Sequence, residues 1–559
     1  MDKKLLIFLL AFLAFLLIWQ KFIVDPRTKQ DEALRASQAQ SQVQTQTSPA
    51  VAGPQNPEPV KASETPEESS KPAPTNAAPV RKISVDTPLY RAEFTSQGAV
   101  LTSFRLKKYT DDYGQPLEMV PAASNDRDQP LSLQLQDKGL TDLANRAAYT
   151  TDQESSTLSG TQTEQIVFAY SDSKIHVQKQ FTFSADNYVL KCQIEASKGD
   201  EKIPVGVIWS PGVDSLANYK DPAAASPSKG LVYSGDKVQH LDSKSAEDLT
   251  KIGSTIHWAG VENNYFSIIM IPANEAADAY MNQVVKGDKK LIHNIHLIVS
   301  GVDPKPLEMS LFVGPKDYQL LKNMGSNLES AIDFGYFKPV AIPLYYTLRY
   351  FYGFAKNYGW AILLLTVAIK IIFTPFMQKS FKSMKKMQLM QPEMKKVQDK
   401  YAKMKNDDPR KLSMNSEIMA LHKSYGVNPF SGCLPMLLQM PVLFAFYRLL
   451  ANTIDLRKAP FILWLHDLSR PDPYYVTPIL MGLTMLVQQR MTPSTDPMQK
   501  NMMMMMPIMF TIMSFKFASG LVLYWLLSNA LAILHQMYFQ RQQQKTAPPA
   551  PSAPVPVQT

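Results

Sequence analysis

The chain has 559 residues, 45% of them hydrophobic and 19% charged, with 41 Pro, 28 Met, two Cys, a net charge of +9 and a mean hydropathy of -0.16. That length holds two or three domains, and two Cys exclude a disulfide-rich scaffold and any all-Cys zinc or iron-sulfur site. The averages conceal two unlike halves: residues 1–340 carry 34 Lys+Arg against 40 Asp+Glu, net -6, and residues 341–559 carry 24 against 9, net +15.

Leu5 to Val24 (LLIFLLAFLAFLLIWQKFIV) matches the ~20 apolar residues that carry a helix across a bilayer. Lys3 and Lys4 also suit the n-region of a cleaved signal peptide. The apolar run is longer than an h-region and no small-x-small site follows Trp19, so the favoured reading is an uncleaved transmembrane signal anchor over 1–24. Residues 25–80 are rich in Gln, Ser, Thr, Ala, Pro and Glu. Such a stretch buries too little apolar surface to offset chain entropy, which predicts a disordered linker.

Residues 81–326 change to short alternating segments rich in Val, Ile, Tyr, Phe and Thr. Tyr188, Leu190, Cys192 and Ile194 share one face and Lys191, Gln193 and Glu195 the other, the period of a half-buried strand. Ser171–Asp172–Ser173 and Ser184–Ala185–Asp186–Asn187 punctuate the strands as turns. The expected domain is an all-β sandwich with Cys192 as a buried thiol.

Beyond it the chain reads as membrane protein to about residue 540. Residues 327–356 are expected to hold an amphipathic interfacial helix. Spans follow at 357–378, 431–451, 474–491, 501–517 and 519–540, separated by a basic loop at 379–430, a loop at 452–473, another at 492–500 and a tight turn near Ser519–Gly520, with a tail over 541–559. With the anchor this makes six transmembrane helices. Pro435, Pro441, Pro478 and Pro507 fall inside spans, where neighbouring helices satisfy the freed backbone groups. Residues 379–411 hold eleven Lys+Arg and four Asp+Glu, so the positive-inside rule puts that loop in the cytoplasm. By parity both termini are then cytoplasmic and the β domain lies on the far side.

No nucleotide site is visible: Gly230 and Gly235 have the spacing of a phosphate loop, but Asp236 and Lys237 stand where Lys and Ser/Thr belong. Of the eight His, only His293 and His296 are close, and on a strand that spacing points them to opposite faces. Lys370 is the sharpest residue. It lies inside AILLLTVAIKIIFTPF, where a charge costs ~2.5 to 3.5 kcal/mol or more. It either snorkels towards the span's end or faces a polar groove; Thr366 and Thr374, one turn to each side, favour the groove. Gln439, Gln488, Gln489, Ser528, Asn529 and Gln536 are candidates to line the same cavity.

In the basic loop Met387, Met390, Met394, Val397, Tyr401 and Met404 repeat at three-four spacing. Met414, Ile418, Leu421 and Tyr425 continue the pattern after Asn406–Asp407–Asp408–Pro409. An antiparallel helical hairpin is expected, its first arm restarted or kinked at Pro392. The methionines either form the hairpin core or offer an adaptable surface for apolar segments, beside Lys385, Lys386, Lys395 and Lys396, which attract RNA or lipid phosphates.

The order of elements, with the strings NPFSGCLPMLLQMPVLFAFY (428–447), APFILWLHDLSRPDPYYVTPILMG (459–482), TDPMQKNMMMMMPIMF (495–510) and SGLVLYWLLSN (519–529), resembles the YidC membrane protein insertase family of Gram-negative bacteria. The resemblance covers the whole chain and is strongest from about Ala331 to Arg541. It implies a multi-pass α-helical inner-membrane protein with a five-helix insertase core and a large periplasmic super-sandwich similar to mutarotases, for which no catalytic set carries over. It implies a non-enzymatic role without cofactor or metal: inserting and helping fold inner-membrane proteins, alone or with the Sec translocon (SecYEG, SecDF). The further implied partners are nascent membrane proteins, membrane lipids, the ribosome and the signal recognition particle pathway, with the chain acting as a monomer.

In that family a basic residue of the second span, more often Arg, lies in a hydrophilic groove open to cytoplasm and lipid; Lys370 occupies its position and Thr366 matches a groove residue one turn earlier. Tyr524 or Trp525 falls where an aromatic faces the substrate. The tail from Gln542 holds one Lys, a weak basis for ribosome docking. Two other classes compete with this reading. A secondary transporter lacks support, since the C-terminal spans show no internal repeat and hold no acidic residue. A membrane-anchored periplasmic carbohydrate-acting enzyme leaves the basic hairpin and groove unexplained.

Overall fold

The computed structural model describes residues 79–120, 129–213, 218–220, 226–242, 248–274, 276–284, 294–402, 411–426, 434–491 and 497–546. The expected anchor, nearly all of the linker, the break at 406–409, His293 and the end of the tail lie outside the described residues. The chain forms two compact units, Met1–Lys316 with Lys322–Ala331, and Asp317–Leu321 with Ile332–Thr559.

The first unit is built from three sheets. One has the strand order Pro116–Glu118, Val100–Thr110, Tyr90–Thr95, Lys82–Asp86, Ser156–Thr157. A nine-stranded sheet runs Lys237–Asp242, Lys229–Ser234, Ile256–Glu262, Phe266–Pro272, Leu307–Pro315, Val189–Lys198, His176–Ser184, Thr163–Ser171, with Glu201–Lys202 paired beside Val189–Lys198. The third runs Thr250–Gly253, Ala277–Val284, Asn294–Gly301, Gly206–Trp209, Ser132–Gln134. Period-two alternation decides what each strand buries. Tyr188, Leu190, Cys192 and Ile194 are all buried, as their spacing predicts. The turns work through side chains: Asp172 Oδ1 accepts from the backbone N–H of Lys174 and Ile175 at 2.8 Å each, and Asn187 Oδ1 from Val189 at 3.0 Å. Gly230 lies in a strand and Gly235 in the hairpin turn after it, so that glycine pair makes a hairpin and not a phosphate loop.

Two smaller sheets pack on the large one. Phe94 of the first sheet meets Phe168, Phe181 and Phe183 of the nine-stranded sheet at 6.0, 5.0 and 5.7 Å, and Met281 of the third lies against Gly230. The arrangement is a layered β sandwich. Its one short described helix before residue 316, α1 (Lys138–Arg146), starts on Asp137, whose carboxylate accepts from the N–H of Gly139 and Leu140. Within the core, Lys179 is fully buried and its Nζ donates to Gly98 O, Ala99 O and Leu131 O at 2.7, 3.2 and 2.9 Å.

After α2 (Tyr318–Met324) the second unit continues as helices: α3 (Lys338–Ala355), α4 (Tyr358–Ala402), α5 (Lys411–Ser424), α6 (Leu434–Asn452), α7 (Val476–Met491), α8 (Pro497–Ser514) and α9 (Ser519–Thr546). The helix expected at the interface, α3, begins at Lys338, preceded by short 3-10 turns. The second expected span and the first hairpin arm form one continuous 45-residue helix, with Pro375 and Pro392 inside it and no restart at Pro392. Each proline frees one carbonyl, and for Pro392 that carbonyl belongs to the exposed Gln388, where water replaces the lost partner. α8 begins inside the expected 492–500 loop.

Among the described residues, two helices are long and apolar enough to cross a membrane, Tyr358–Tyr401 and Ser519–Gln542, and Met504–Ser514 is a shorter apolar stretch. Large apolar side chains point outwards: Trp360, Leu364, Val367, Ile371, Ile372 and Phe376 on α4, Ile479, Leu480, Leu483 and Val487 on α7, Met505, Ile508 and Ile512 on α8. Apolar surface of that extent marks a site of contact with a membrane or another protein.

Candidate functional site

Lys370 sits on α4 between those outward-facing residues and the helices packed behind them. Its Nζ donates to Gln439 Oε1 of α6 at 3.5 Å, and Gln439 Nε2 donates to the Tyr524 hydroxyl of α9. A polar relay therefore joins three helices. Among the described residues no carboxylate pairs with Lys370, and the single long bond to Gln439 leaves ammonium donors for an incoming group. Tyr524 is fully buried, its ring against Phe446 at 4.6 Å.

Thr366 and Thr374 lie on the same face of α4 as Lys370, but their hydroxyls are spent on their own helix. Thr366 donates to Ile362 O at 2.7 Å and Thr374 to Lys370 O at 2.8 Å, the back-bonding that satisfies a hydroxyl in apolar surroundings. Both oxygens keep acceptor capacity only. Trp525 faces elsewhere, packing on Phe510 of α8 at 5.3 Å, so Tyr524 is the member of the pair that reaches Lys370's relay.

Asn529 and Gln536 turn towards α7: Asn529 Nδ2 donates to Thr484 Oγ1 at 3.4 Å and Gln536 Nε2 to Met491 O at 3.0 Å. Ser528 is buried beside Asn529, while Gln488 and Gln489 are half-buried on α7. The residue that sequence reading missed is His535, which lies within electrostatic reach of Lys370. It is eleven residues, three helical turns, past Tyr524, and that spacing marks the shared face.

The basic segment forms a hairpin of α4 and α5. Tyr401 Oη and Lys400 Nζ donate to Glu417 at 2.6 and 2.8 Å, and Tyr425 Oη to Glu393 at 2.8 Å. Met390 and Met394 are buried and Met387 half-buried, so the first two pack the hairpin rather than present a surface. Lys386, Lys395 and Lys396 are exposed; Lys385 is half-buried in a crevice with Phe381, Met384, Gln536 and Phe539.

A helical unit with an apolar outer surface and a charged relay inside it, carried on a chain with a separate β sandwich, defines a membrane protein with an extramembrane β domain. The family described as the YidC periplasmic domain matches residues 82–347, and the family described as the 60Kd inner membrane protein matches residues 350–546. A protein named membrane protein insertase YidC from Syntrophus aciditrophicus is 36% identical over 97% of this chain and 100% of its own length. One of the same name from Geotalea daltonii is 37% identical over 82% of this chain and 87% of its own. A solved structure titled as an active YidC insertase with its first transmembrane domain resolved covers 82% of this chain and 92% of its own at 19% identity, with a TM-score of 0.35, too loose a superposition to bear on the argument. The chain belongs to the YidC family of membrane protein insertases, inner-membrane proteins with a periplasmic domain.

Proposed function

We propose that this chain inserts integral proteins into the inner membrane and assists their folding through a hydrophilic groove marked by Lys370. The observation that carries the reading is the relay from Lys370 through Gln439 to Tyr524, polar groups on three helices of a unit whose α4, α7 and α8 turn apolar side chains outwards. A substrate helix gains ~0.3 to 0.6 kcal/mol per Leu-like residue on insertion, so transfer of the span is downhill and needs no nucleotide. The barrier lies in moving the substrate's short polar or acidic outer segment through hydrocarbon. Lys370 gives that segment a counter-charge partway across, with Gln439 as a polar wall and the buried Tyr524 behind it holding Gln439 in place. Thr366, Thr374 and Asn529 border the groove, and Trp525 supports it from the adjacent face.

In this reading six helices span: the 1–24 anchor, the first half of α4, then α6, α7, α8 and most of α9. The β domain is periplasmic and both termini cytoplasmic, since the loop over 379–411 carries the charge excess. The hairpin, with Met387, Met390 and Met394 in or near its seam and Lys385, Lys386, Lys395 and Lys396 outside it, is the cytoplasmic platform. There nascent chains arrive from the ribosome and the signal recognition particle pathway, and the monomer works alone or beside SecYEG and SecDF.

The test is reconstitution of the purified protein with a short single-span substrate bearing an acidic translocated tail, scoring protease-protected insertion. Lys370→Ala slows insertion and Lys370→Arg retains it. Equal insertion by the Ala variant would remove Lys370 from the mechanism.

A further inference from the structure

The segment between α6 and α7 carries an apolar tip that no feature of the groove uses. Ile462 is 45% and Leu463 73% exposed, and Leu463 holds a φ of +53°, a left-handed conformation unfavourable for a branched apolar side chain. Such a conformation persists only where its surroundings enforce it. Here they do: Phe461 N–H donates to Leu465 O at 2.8 Å and Leu465 N–H to Ile462 O at 3.0 Å, closing a tight turn. Asp467 Oδ1 accepts from Lys458 and Ser469 N–H, and Asp472 accepts from Trp464 Nε1, Tyr474 N–H and Thr477 N–H. The brace fixes two large apolar side chains outwards, a costly use of strain if they face only water.

The height of this tip is set by its neighbours. Asn357 Nδ2, at the start of α4, donates to Pro460 O and Phe461 O at 3.1 and 3.3 Å, and Phe461 fills the space beside Gly359 where any Cβ would overlap its ring. Trp360 meets Phe461 edge-on at 5.6 Å and is itself half exposed, heading the apolar outer face that continues through Leu364 and Val367. On the other side Trp464 packs edge-on against the exposed Tyr474, one turn before the outward-facing Ile479 and Leu480 of α7. The tip is thus continuous with the lipid-facing surfaces of both helices at their common end. Trp and Tyr at that level are the residues that settle at a membrane–water boundary.

We infer that Ile462 and Leu463 are an interfacial anchor inserted into the headgroup–acyl boundary of the bilayer, in the periplasmic leaflet for the orientation proposed above, at the outer end of the helix that carries Lys370. The occupant is phospholipid, and the inference rests on α4 and α7 spanning the membrane, not on the groove. The test labels Leu463→Cys with an environment-sensitive fluorophore in a full-length chain whose Cys192 and Cys433 are replaced by Ser, reconstituted in phosphatidylcholine–phosphatidylglycerol vesicles. Labels at Leu364→Cys and His466→Cys serve as deep and aqueous references.

The expected result at position 463 is blue-shifted emission, quenched more by a shallow lipid nitroxide than by aqueous iodide, with His466 showing the reverse. Iodide quenching alone at 463 would place the tip in water, and resistance to both quenchers would place it under protein; either overturns the inference. Absence of lipid quenching at Leu364 as well would instead overturn the membrane placement of α4. Retained insertion activity of the labelled chain verifies that it is folded.

Discussion

The Lys370 ammonium on α4 donates to the Gln439 carboxamide on α6 across 3.5 Å, and the same carboxamide reaches on to Tyr524. Gln439 therefore orients the charge, and in the proposed mechanism it also lines the groove. Tyr524→Phe removes the relay's last partner and orphans one Gln439 donor, at a cost of about 1 kcal/mol, or about fivefold. We expect a several-fold slower insertion of acidic-tailed substrates for Tyr524→Phe and Gln439→Leu and near-normal rates for Trp525→Phe. Reconstituted insertion assays decide it, and a larger defect at Trp525 would reverse the assignment.

Lys179 predicts an alkaline stabilisation of the β unit. Burial pushes its ammonium from the ordinary 10.5 down to about 7. Between those values the folded chain has released a proton that the unfolded chain still holds, so stability rises with pH through that window, at most by about 1.4 kcal/mol per unit. Below pH 7 both states are protonated and the burial penalty is complete. Melting of the full chain in detergent from pH 7 to 9, followed by near-ultraviolet circular dichroism, is expected to show this rise in the wild type and its loss in Lys179→Met. Parallel curves would contradict it.

On α3, Arg349 Nη1 donates to Tyr345 Oη at 2.6 Å and to Asp317 Oδ2 at 3.5 Å. Asp455 faces the same group. Its burial holds its carboxyl above the usual range, opposed by Arg349 and reinforced by Asp317. A raised carboxyl subtracts stability as pH climbs from the unfolded to the folded value. Asp455→Asn is expected to melt no lower than wild type at pH 7. Arg349→Met, which leaves two carboxylates facing each other, costs on the order of 2 kcal/mol, less than the about 3–5 of a fully buried pair because the guanidinium is half exposed. Detergent melts of both variants check the order.

Gly482 lets α7 close on α8, since any Cβ there would overlap Thr511, whose hydroxyl is already committed to Pro507 O at 2.7 Å. Gly482→Leu is expected to lose about 1–3 kcal/mol through overpacking, with Gly482→Ala in between. A wild-type melting temperature for the Leu variant would show that the helices part without cost.

The strand faces were legible because period two leaves little freedom: once Leu190 points inwards, so do Cys192 and Ile194. Lys179 was equally legible and passed over. In His176–Ser184 it shares the parity of Val177, Phe181 and Phe183, an inward lysine visible without coordinates. The choice between Tyr524 and Trp525 was not legible, because adjacent helical residues differ by about 100° and only the packing of α9 on α6 and α8 selects one. At Pro392 the sequence allowed a restart or a kink, and the helix does not restart there, since proline's local cost falls on an exposed carbonyl that water can serve. The Leu463 turn has no pattern at all: its left-handed residue is held by Asp467 and Asp472 through bonds that the linear order does not announce.

α4 runs unbroken well beyond the turn that bears Lys370. From Lys370 to Tyr401 the helix extends over 31 residues, about 46 Å at 1.5 Å per residue. A rotation of about 5° at Lys370 would sweep Tyr401 through about 4 Å. In the proposed mechanism the helix is a lever with the groove at its fulcrum, and a load on the far arm is felt as torque on the very turn that holds Lys370.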